Sequence, residues 1–268
     1  MKTYILLLLA VLAAGFSSAS LQAQDKSWNL VWSDEFNYRG LPDASKWNYD
    51  TVGNSYGWGN NESQWYTVGK RKNAWVKGGK LTITSLAEPI NGKKYSSARL
   101  TTKGKGDWKY CRVEVRAKLP SGIGTWPAIW MLPSDNVYGK WPRSGEIDIM
   151  EHVGFDPDSV LSTSHTEAFN HMIGTQVGKS TYLPTATTGF HVYALEWDEN
   201  ELRSYVDGRQ YFTYKNLHKT SAEWPYDQRF HLILNLAIGG GLGGQKGIDD
   251  KAFPHRFEID YVRIYEKK

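Results

Sequence analysis

Short runs that alternate apolar and polar residues recur along the chain, and they constrain the fold more than any other feature. Alternation with a period of two places successive side chains on opposite faces of a β-sheet. Turns rich in glycine, asparagine and aspartate separate the runs, and helical periodicity is nearly absent, although DASKWNY at 43–49 is predicted to form one turn. The runs are LTITSL from Leu81, CRVEVRAKL from Cys111, FHVYALEW from Phe190, LRSYVDG from Leu202, RFHLILNLAIGG from Arg229 and FEIDYVRIY from Phe257.

Strands at this spacing predict an all-β sandwich, in which two antiparallel sheets pack face to face. Beyond the N-terminal segment, the sequence contains no repeat, no low-complexity tract and no linker rich in proline or serine. One domain is therefore predicted, and a curved pair of sheets would leave a concave cleft able to hold a long ligand.

The segment GEIDIMEHVG breaks the alternation. Glu146 and Asp148 share one face of a strand, and two isoleucines share the other. Glu151 then falls out of phase and would enter the core, where an unpaired charge is very costly. A β-bulge near Ile149 or Met150 would return Glu151 to the polar face, and bulges are frequent beside active sites. The sequence therefore predicts three carboxyl groups on one surface.

Three crowded carboxyl groups suit glycoside hydrolysis better than they suit a solvent-facing acidic strand. Like charges raise one another's pKa, so one carboxyl can stay protonated as an acid while another serves as an ionised nucleophile. The Cα atoms of Glu146 and Glu151 would lie about 13 Å apart at roughly 3.3 Å per residue. Side chains that lean together would then leave about the 5–5.5 Å between carboxyls that retaining enzymes require. Asp148, between them, can modulate the pKa of both.

The composition indicates what kind of ligand this surface would bind. The 32 basic and 28 acidic residues are scattered along the chain and leave a net charge of +4, which argues against a nucleic-acid partner. The chain has 12 tryptophans and 16 tyrosines, more tryptophan than a core of this size needs. Single indoles can equally be core anchors. Clustered indoles offer flat surfaces for the apolar faces of sugar rings, so the composition favours a carbohydrate ligand.

The N-terminal residues resemble a targeting segment. Lys2 is followed by the apolar run 5–14 and then by small residues, and the apolar run is too short to span a membrane. We therefore predict a signal peptide at 1–23 and a single domain at 24–268. We expect a monomer without membrane attachment, exported to the extracellular space or the periplasm. Cys111 has no partner, so no internal disulfide is expected.

GEIDIMEHVG resembles the signature of glycoside hydrolase family 16, in the laminarinase-like version with the extra methionine. The resemblance covers nearly all of the mature chain, and it implies a β-jelly-roll that cleaves internal linkages of β-glucans or related polysaccharides with retention. It also implies that Glu146 is the nucleophile, Glu151 the acid/base and Asp148 the assisting carboxylate. Further matching motifs are WSDEF from Trp32, YGWGNNESQWYT from Tyr56, SARLTTKGK from Ser97, GTWPAIWMLP from Gly124, SHTEAFNH from Ser164 and IDYVRIY from Ile259.

The resemblance further implies a set of substrate-binding residues. Three tryptophans would stack glucosyl rings on the non-reducing side of the cut, an asparagine would hydrogen-bond a sugar hydroxyl, and a histidine would lie beside the catalytic acid. The alternation puts Trp126 and Trp130 on one strand face, where they could also fill the core. The set is Asn60, Arg99, Trp126, Trp130, Trp141 and His165.

No cofactor is expected for catalysis, but the resemblance suggests a structural calcium on the convex face, with Glu35, Gly79 and Asp260 as ligands. Oxygen ligands suit this hard cation, although an acidic turn without metal is the alternative. One departure from the family concerns Leu242, which stands where many laminarinase-like relatives carry a tryptophan. The glycine-rich loop 239–247 around it is expected to border the cleft.

Three functions stay open from the sequence. The first is a secreted endo-β-1,3-glucanase that acts on laminarin, with mixed-linkage β-1,3-1,4-glucan as a further substrate. The second is a galactan hydrolase of the same fold, an agarase or a carrageenase. The third is a non-catalytic glucan-binding protein, which the presence of both glutamates disfavours. The bulged strand resembles laminarinases more than strict mixed-linkage enzymes, so β-1,3-glucan is the predicted substrate.

Overall fold

The computed structural model describes residues 27–268. The predicted signal peptide lies outside the described residues, so it stays a prediction, and so does the domain boundary at residue 24. Within residues 27–268, no helix is long and apolar enough to cross a membrane.

The described residues form strands almost throughout. Their helical segments are short and span Asn54–Gly59, His171–Ile173 and Gly240–Gly243. The strands are β1 (Trp28–Asp34), β2 (Asn48–Tyr49), β3 (Gln64–Tyr66), β4 (Ala74–Val76), β5 (Leu81–Ser85), β6 (Tyr95–Ser97), β7 (Arg99–Thr101), β8 (Asp107–Trp108), β9 (Cys111–Lys118), β10 (Thr125–Pro133), β11 (Glu146–Glu151), β12 (Ser159–His165), β13 (Val177–Tyr182), β14 (His191–Trp197), β15 (Glu201–Val206), β16 (Arg209–Lys215), β17 (Phe230–Ile238) and β18 (His255–Lys267).

Two antiparallel sheets contain most of these strands. The front sheet has the order β13-β12-β11-β10-β17-β7-β2, and β8 pairs with β17. The back sheet has the order β16-β15-β14-β9-β18-β5-β4, and β1 pairs with β18. A small parallel pair, β3 and β6, lies outside both sheets. The predicted all-β sandwich is therefore confirmed.

The alternating pattern places the core between the two sheets. Strand β9 shows this plainly, because its residues are buried at every second position from Cys111 onwards. Residues of the front sheet meet them from the other side, among them Ile129, Met131 and Leu232, all fully buried. Burying one such side chain stabilises the fold by roughly 1.5–3 kcal/mol. All six runs expected from the sequence form strands.

The segment DASKWNY forms a turn, as predicted. The backbone N–H groups of Lys46 and Trp47 both donate to the carbonyl oxygen of Asp43. The Asp43 carboxylate also accepts from the backbone N–H of Ser45 at 2.8 Å, a local bond typical of aspartate in turns. The chain then enters β2.

Strand β11 contains the predicted bulge. Asp148 pairs with Trp130 of β10, but the next β10 residue back along the strand, Ile129, pairs with Met150, so Ile149 is the additional residue. The register towards β12 shifts over the same stretch. Ile149 and Met150 are both fully buried in the core. Two consecutive core-facing residues are what return Glu151 to the outer face of the front sheet.

Candidate active site

A groove of about 690 Å³ runs over the outer face of the front sheet. Its floor comes from β7, β10, β11 and β17, and its walls come from the segments that follow β2, β7, β10 and β12. The groove brings together eight of the nine residues predicted for catalysis and substrate binding. They are Asn60, Arg99, Trp126, Trp130, Trp141, Glu146, Asp148 and Glu151. His165 lies just behind the groove surface and is buried.

The three acids of β11 have distinct partners. The Trp126 indole Nε1–H donates to Oε1 of Glu151 at 3.0 Å. His165 Nε2 lies 3.3 Å from Oδ2 of Asp148. Single side-chain oxygens of Glu146 and Asp148 and a ring nitrogen of His165 all lie within 4.8 Å of one another. The structure therefore places His165 against Asp148. His165 is also close enough to Glu151, the catalytic acid beside which the resemblance expected it, to oppose the rise in the pKa of that acid.

All three acids hold protons more tightly than ordinary carboxyls. Burial, together with repulsion from Asp148, raises the pKa of Glu146 to about 8. Burial and the charge of Glu151 raise the pKa of Asp148. Burial raises the pKa of Glu151 too, against the opposing effect of the hydrogen bond from Trp126. The cluster therefore cannot hold three negative charges at neutral pH, and a protonated acid can exist beside an ionised nucleophile.

Strand pairing aligns residues in rows that run across the front sheet, starting from the acids of β11. Asp148 pairs with Trp130 on β10, Trp130 with Ile233 on β17, and Ile233 with Thr101 on β7. Because strands lie about 4.8 Å apart, this row extends about 14 Å from β11 to β7. The half-buried indole of Trp130 is the large flat surface in the middle of the groove floor.

A parallel row starts at the second glutamate. Glu151 pairs with Ala128, Ala128 with Asn235, and Asn235 with Arg99. The small side chain of Ala128 leaves room above it, whereas Asn235 and Arg99 present polar groups further from the acids. The groove is therefore open near Glu151 and polar at a distance from it.

Arg99 is held rigidly between two indoles. Its guanidinium carbon lies 4.1 Å from the ring centre of Trp58 and 4.6 Å from that of Trp130. Its Nε–H donates to Oδ2 of Asp50 at 3.0 Å. A guanidinium that is stacked on both faces and paired at one edge keeps the indole of Trp130 in place.

The N–H edge of Trp130 is fixed by a chain of hydrogen bonds through Asn235 and Tyr66 to Glu62, called the relay below. The indole N–H donates to Oδ1 of Asn235 at 2.7 Å, and the amide of Asn235 donates to the hydroxyl of Tyr66 at 3.0 Å. The Tyr66 hydroxyl donates to Oε2 of Glu62 at 3.3 Å, and that oxygen also accepts from Gln64 at 2.6 Å. Since an indole N–H can only donate, every bond of the relay points towards Glu62, which ends it as an acceptor.

Sequence reasoning missed Tyr66 and Asn235. Asn235 could have been found, because it and His231 are the two polar residues of β17, four positions apart and on the same outward-facing side. Tyr66 could not, because its contact with Asn235 joins residues 169 positions apart. Glu62, which belongs to the YGWGNNESQWYT motif, is the buried end of the relay. Burial raises the pKa of Glu62, whereas the hydrogen bond from Gln64 and the charge of Arg99 oppose that effect.

The fold and the site agree with the comparisons with known proteins. The model of glycosyl hydrolases family 16 matches residues 60–263. The chain belongs to glycosyl hydrolases family 16. A β-glucanase of Rhodothermus marinus is 54% identical over 267 residues, which cover 96% of this chain and 92% of that protein.

Solved structures of family 16 enzymes superpose closely. The laminarinase from Rhodothermus marinus matches with a TM-score of 0.87 at 54% identity, covering 90% of this chain and 98% of that one. A mutant of SCLam, a non-specific endo-β-1,3(4)-glucanase, matches with a TM-score of 0.88 at 48% identity, covering 91% and 96%. That structure presents 1,3-β-D-cellobiosyl-glucose at its active site. The expected jelly-roll fold and laminarinase-like resemblance are confirmed.

The glycine-rich loop of this family 16 chain borders the groove at Trp126, as expected. A Cβ atom at Gly243 would lie 2.7 Å from the Cβ of Trp126, so only glycine permits this close approach. The N–H of Gly241 donates to the carbonyl oxygen of Asn60 at 2.8 Å, which ties the loop to the opposite wall. Leu242 is not among the residues that line the groove.

Trp141 forms the rim at the other end of the groove. Its ring centre lies 5.0 Å from that of His171 and 6.3 Å from that of His165. His171, the last residue of the SHTEAFNH motif, and Met172 also line the groove, although neither was among the predicted site residues. Trp141 is 36% exposed, so its free ring face is available to a ligand.

The predicted calcium ligands lie on or beside the back sheet, and both carboxylates have cationic partners. Glu35 accepts two hydrogen bonds from Arg263, at 2.9 and 2.8 Å, and Asp260 pairs with Arg116. These carboxylates do not fit a calcium site as placed, because each would have to leave its guanidinium to bind the ion. Calcium binding stays a prediction of the resemblance, and a melting curve with and without a chelator tests it. A lower melting temperature with chelator would support the ion, and an unchanged curve would argue against it.

Proposed function

We propose that the chain is a retaining endo-β-glucanase that hydrolyses internal β-1,3-glucosidic bonds of laminarin-type glucans. The observation that carries this proposal is the bulge in β11, which turns Glu146, Asp148 and Glu151 to one face. They lie in a groove floored by indoles, as a sugar chain requires. The proposed catalytic roles follow from what surrounds each carboxyl.

In the first step, the ionised form of Glu146 attacks the anomeric carbon and forms a glycosyl-enzyme ester. Because the pKa of Glu146 is raised to about 8, the share of this form grows as pH rises towards that value. The bond from that carbon to the leaving sugar's oxygen breaks, and the proton of Glu151 goes to that oxygen. The indole of Trp126 occupies Oε1 of Glu151 as a donor, so the transferable proton sits on Oε2. The raised pKa of Glu151 keeps this proton in place until it is needed.

In the second step, Glu151, now ionised, takes a proton from water while the water oxygen attacks the anomeric carbon. The ester bond to Glu146 breaks, and two displacements restore the original configuration. Asp148 lies between the glutamates with a raised pKa, so in our proposal it keeps a proton and donates it in a hydrogen bond to Glu146. Nε2 of His165 lies 3.3 Å from Oδ2 of Asp148 and holds the carboxyl group in that position.

The substrate proposal rests on the groove and on the relatives. The row from β11 to β7 provides length for more than one sugar on the tryptophan side, as cleavage inside a chain needs. The relatives reported above are a β-glucanase, a laminarinase and an endo-β-1,3(4)-glucanase. They support glucan over galactan, with mixed-linkage glucan as a second substrate. The complete set of acids argues against a purely binding role.

We propose that the enzyme is exported, acts as a monomer on polysaccharide, and uses no cofactor for the chemistry. The predicted signal segment at 1–23 supports export. The scattered charges support the absence of a nucleic-acid partner.

Product analysis tests the proposed function directly. Release of reducing sugar is measured on laminarin, lichenan, agarose and carrageenan under matched conditions, and proton NMR follows the anomeric configuration of the first product. We expect laminarin to be cleaved several-fold more efficiently than lichenan, a difference of about 1 kcal/mol in transition-state binding. We expect a β-anomer to appear first. A better rate on agarose, or an inverted product, would contradict the proposal.

A further inference from the structure

His231 lies on β17, next to the strand of Trp130, and was not among the predicted site residues. The position above the Trp130 indole is called the Trp130 subsite below. His231 pairs with Leu132, two residues after Trp130, whereas Asn235 pairs with Ala128, two residues before it. All five side chains line the groove. A sugar ring stacked on Trp130 would therefore have Asn235 beside one edge and His231 beside the other.

The tautomer of His231 is fixed by its neighbours. Asp107 accepts a hydrogen bond on each carboxylate oxygen, one from the Ser134 hydroxyl and one from the N–H of Gly104 at 2.9 Å. Ser134 has a single proton and gives it to Asp107. Its oxygen lies 3.1 Å from Nδ1 of His231, so Nδ1 must carry a proton and donate it to Ser134. Nε2 then carries a lone pair.

The environment keeps that lone pair available. Burial, with the positive charges of Lys103 and Arg99, lowers the pKa of His231 to about 3, against the opposing charge of Asp50. The ring is therefore neutral at any pH where a folded glucanase would work. Within residues 27–268 no side chain or backbone group hydrogen-bonds Nε2, and this nitrogen is not among the fully enclosed polar atoms.

We propose that Nε2 of His231 is a substrate acceptor, which takes a hydrogen bond from a hydroxyl of the glucosyl ring stacked on Trp130. The inference rests on the proposed function, since its ligand is a β-glucan chain. A sugar hydroxyl both donates and accepts. The cations Arg99 and Lys103 can only donate, and the carboxylate of Asp50 is already paired with Arg99 at 3.0 Å. Nε2 of His231 supplies an acceptor that no other group occupies within residues 27–268. Because β17 is two strands from β11, the backbone of His231 lies about 10 Å from that of the acids across the sheet.

Binding of a β-1,3-linked glucose hexasaccharide to the inactive Glu146→Gln protein tests the acceptor by calorimetry. Adding His231→Phe keeps the ring volume and removes the acceptor, so we expect affinity to fall about 3- to 10-fold, as for one neutral hydrogen bond. His231→Gln offers an amide oxygen and should recover part of the loss. His218→Asn, in an exposed turn, is the matched control and should bind like the parent. Equal affinity of the His231→Phe and parent proteins would overturn the proposal.

Nitrogen NMR of histidine-labelled Glu146→Gln protein gives a second readout, which does not depend on a variant that might misfold. We expect the Nε2 signal of His231 at the position of an unprotonated ring nitrogen, moving on addition of the hexasaccharide. Ser134→Ala removes the hydrogen-bond acceptor of Nδ1, so both tautomers of His231 should form and the signals of the two ring nitrogens should move towards each other. A protonated Nε2, or a signal that saturating hexasaccharide leaves unmoved, would overturn the proposal. If the parent Glu146→Gln protein binds no hexasaccharide, the proposed function itself fails.

Discussion

The outer faces of the two sheets both carry acidic side chains, and the two sets have opposite surroundings. In the groove of the front sheet, Glu146, Asp148 and Glu151 have no lysine or arginine ion-pair partner within residues 27–268. Burial and mutual repulsion raise the pKa of each. These acids are therefore poised to exchange protons near neutral pH.

Acids of the back sheet are paired with cations. Arg112 lies 2.7 Å from Glu114 and also pairs with Glu196. Glu258 pairs with Lys118, and although burial acts to raise its pKa, the hydrogen bond and charge of Lys118 lower it overall. Carboxylates held this way stay ionised and do not transfer protons at neutral pH.

The comparison shows that alternation in a strand places an acid on a face, and its neighbours then decide what the acid does. A cation across the strand makes a structural ion pair. An apolar wall and a second acid make a reactive cluster, which lowers the stability of the folded state whenever its protons must leave.

The largest expected effect is on turnover. Glu146→Gln removes the nucleophile, so we expect kcat on laminarin to fall at least about 1,000-fold while fold and glucan binding persist. Glu196→Gln, the same change on the back sheet, should leave kcat within about 2-fold. Initial rates of reducing-sugar release measure both. Residual activity of more than a few per cent in Glu146→Gln would rule out its role as nucleophile.

Activity lost on replacing the proposed acid/base should be partly rescued by an added anion. Glu151→Ala lowers activity because the leaving oxygen receives no proton and water receives no base. Added azide should restore part of the rate on an activated aryl glucoside, since a small anion fits the vacated space and attacks the glycosyl-enzyme without a base. The β-glycosyl azide is identified by NMR. Rescue of Glu146→Gln instead, or an α-azide from Glu151→Ala, would reverse or refute the assignments.

The relay under Trp130 should have a smaller effect, mostly on binding. Tyr66→Phe removes both the donor to Glu62 and the acceptor for Asn235, so the indole of Trp130 is held less firmly. We expect kcat/KM on laminarin to fall about 5-fold, the equivalent of about 1 kcal/mol, chiefly through KM. Tyr182→Phe, at an exposed tyrosine, serves as the control. An unchanged KM in Tyr66→Phe would show that the relay does not position the indole.

The smallest expected effect is on stability, and its sign should differ between the sheets. The folded-state pKa of Glu146 is raised from 4.5 to about 8, so the folded protein binds that proton more tightly and loses stability as pH rises through this window. Glu146→Gln should therefore raise the melting temperature at pH 8 more than at pH 5, by a few degrees, since about 1 kcal/mol corresponds to about 2–4 °C.

The back-sheet counterpart is Glu258→Gln. Its lowered folded-state pKa stabilises the fold above the pKa of the unfolded chain, and this contribution is lost as pH falls. The substitution should lower the melting temperature slightly at pH 7 and have less effect at pH 4, measured by calorimetry of both variants. If the melting temperature changed in the same direction in both variants, the local partners of the two acids would not determine their effect on stability.

The predicted features share one property, which is that they depend on residues close together in the chain. Alternation in CRVEVRAKL is enough to predict β9, because pleated backbone stereochemistry sends successive side chains to opposite faces wherever the strand pairs. The phase error of Glu151 is likewise local. The cost of burying that charge required an additional residue near Ile149, and the register of β10 against β11 shows it there.

Tertiary structure decided what lies around those residues. Tyr66, Trp130 and Asn235 come from three separate strands, and only the pairing of β10 with β17 and the contact of β3 with the groove floor bring them into one relay. The same holds for the arginines that pair with Glu35 and Asp260, which a list of oxygen ligands could not foresee. A side chain's direction is set by its own backbone, whereas its partner, burial and pKa are set by segments that sheet formation brings from far along the chain.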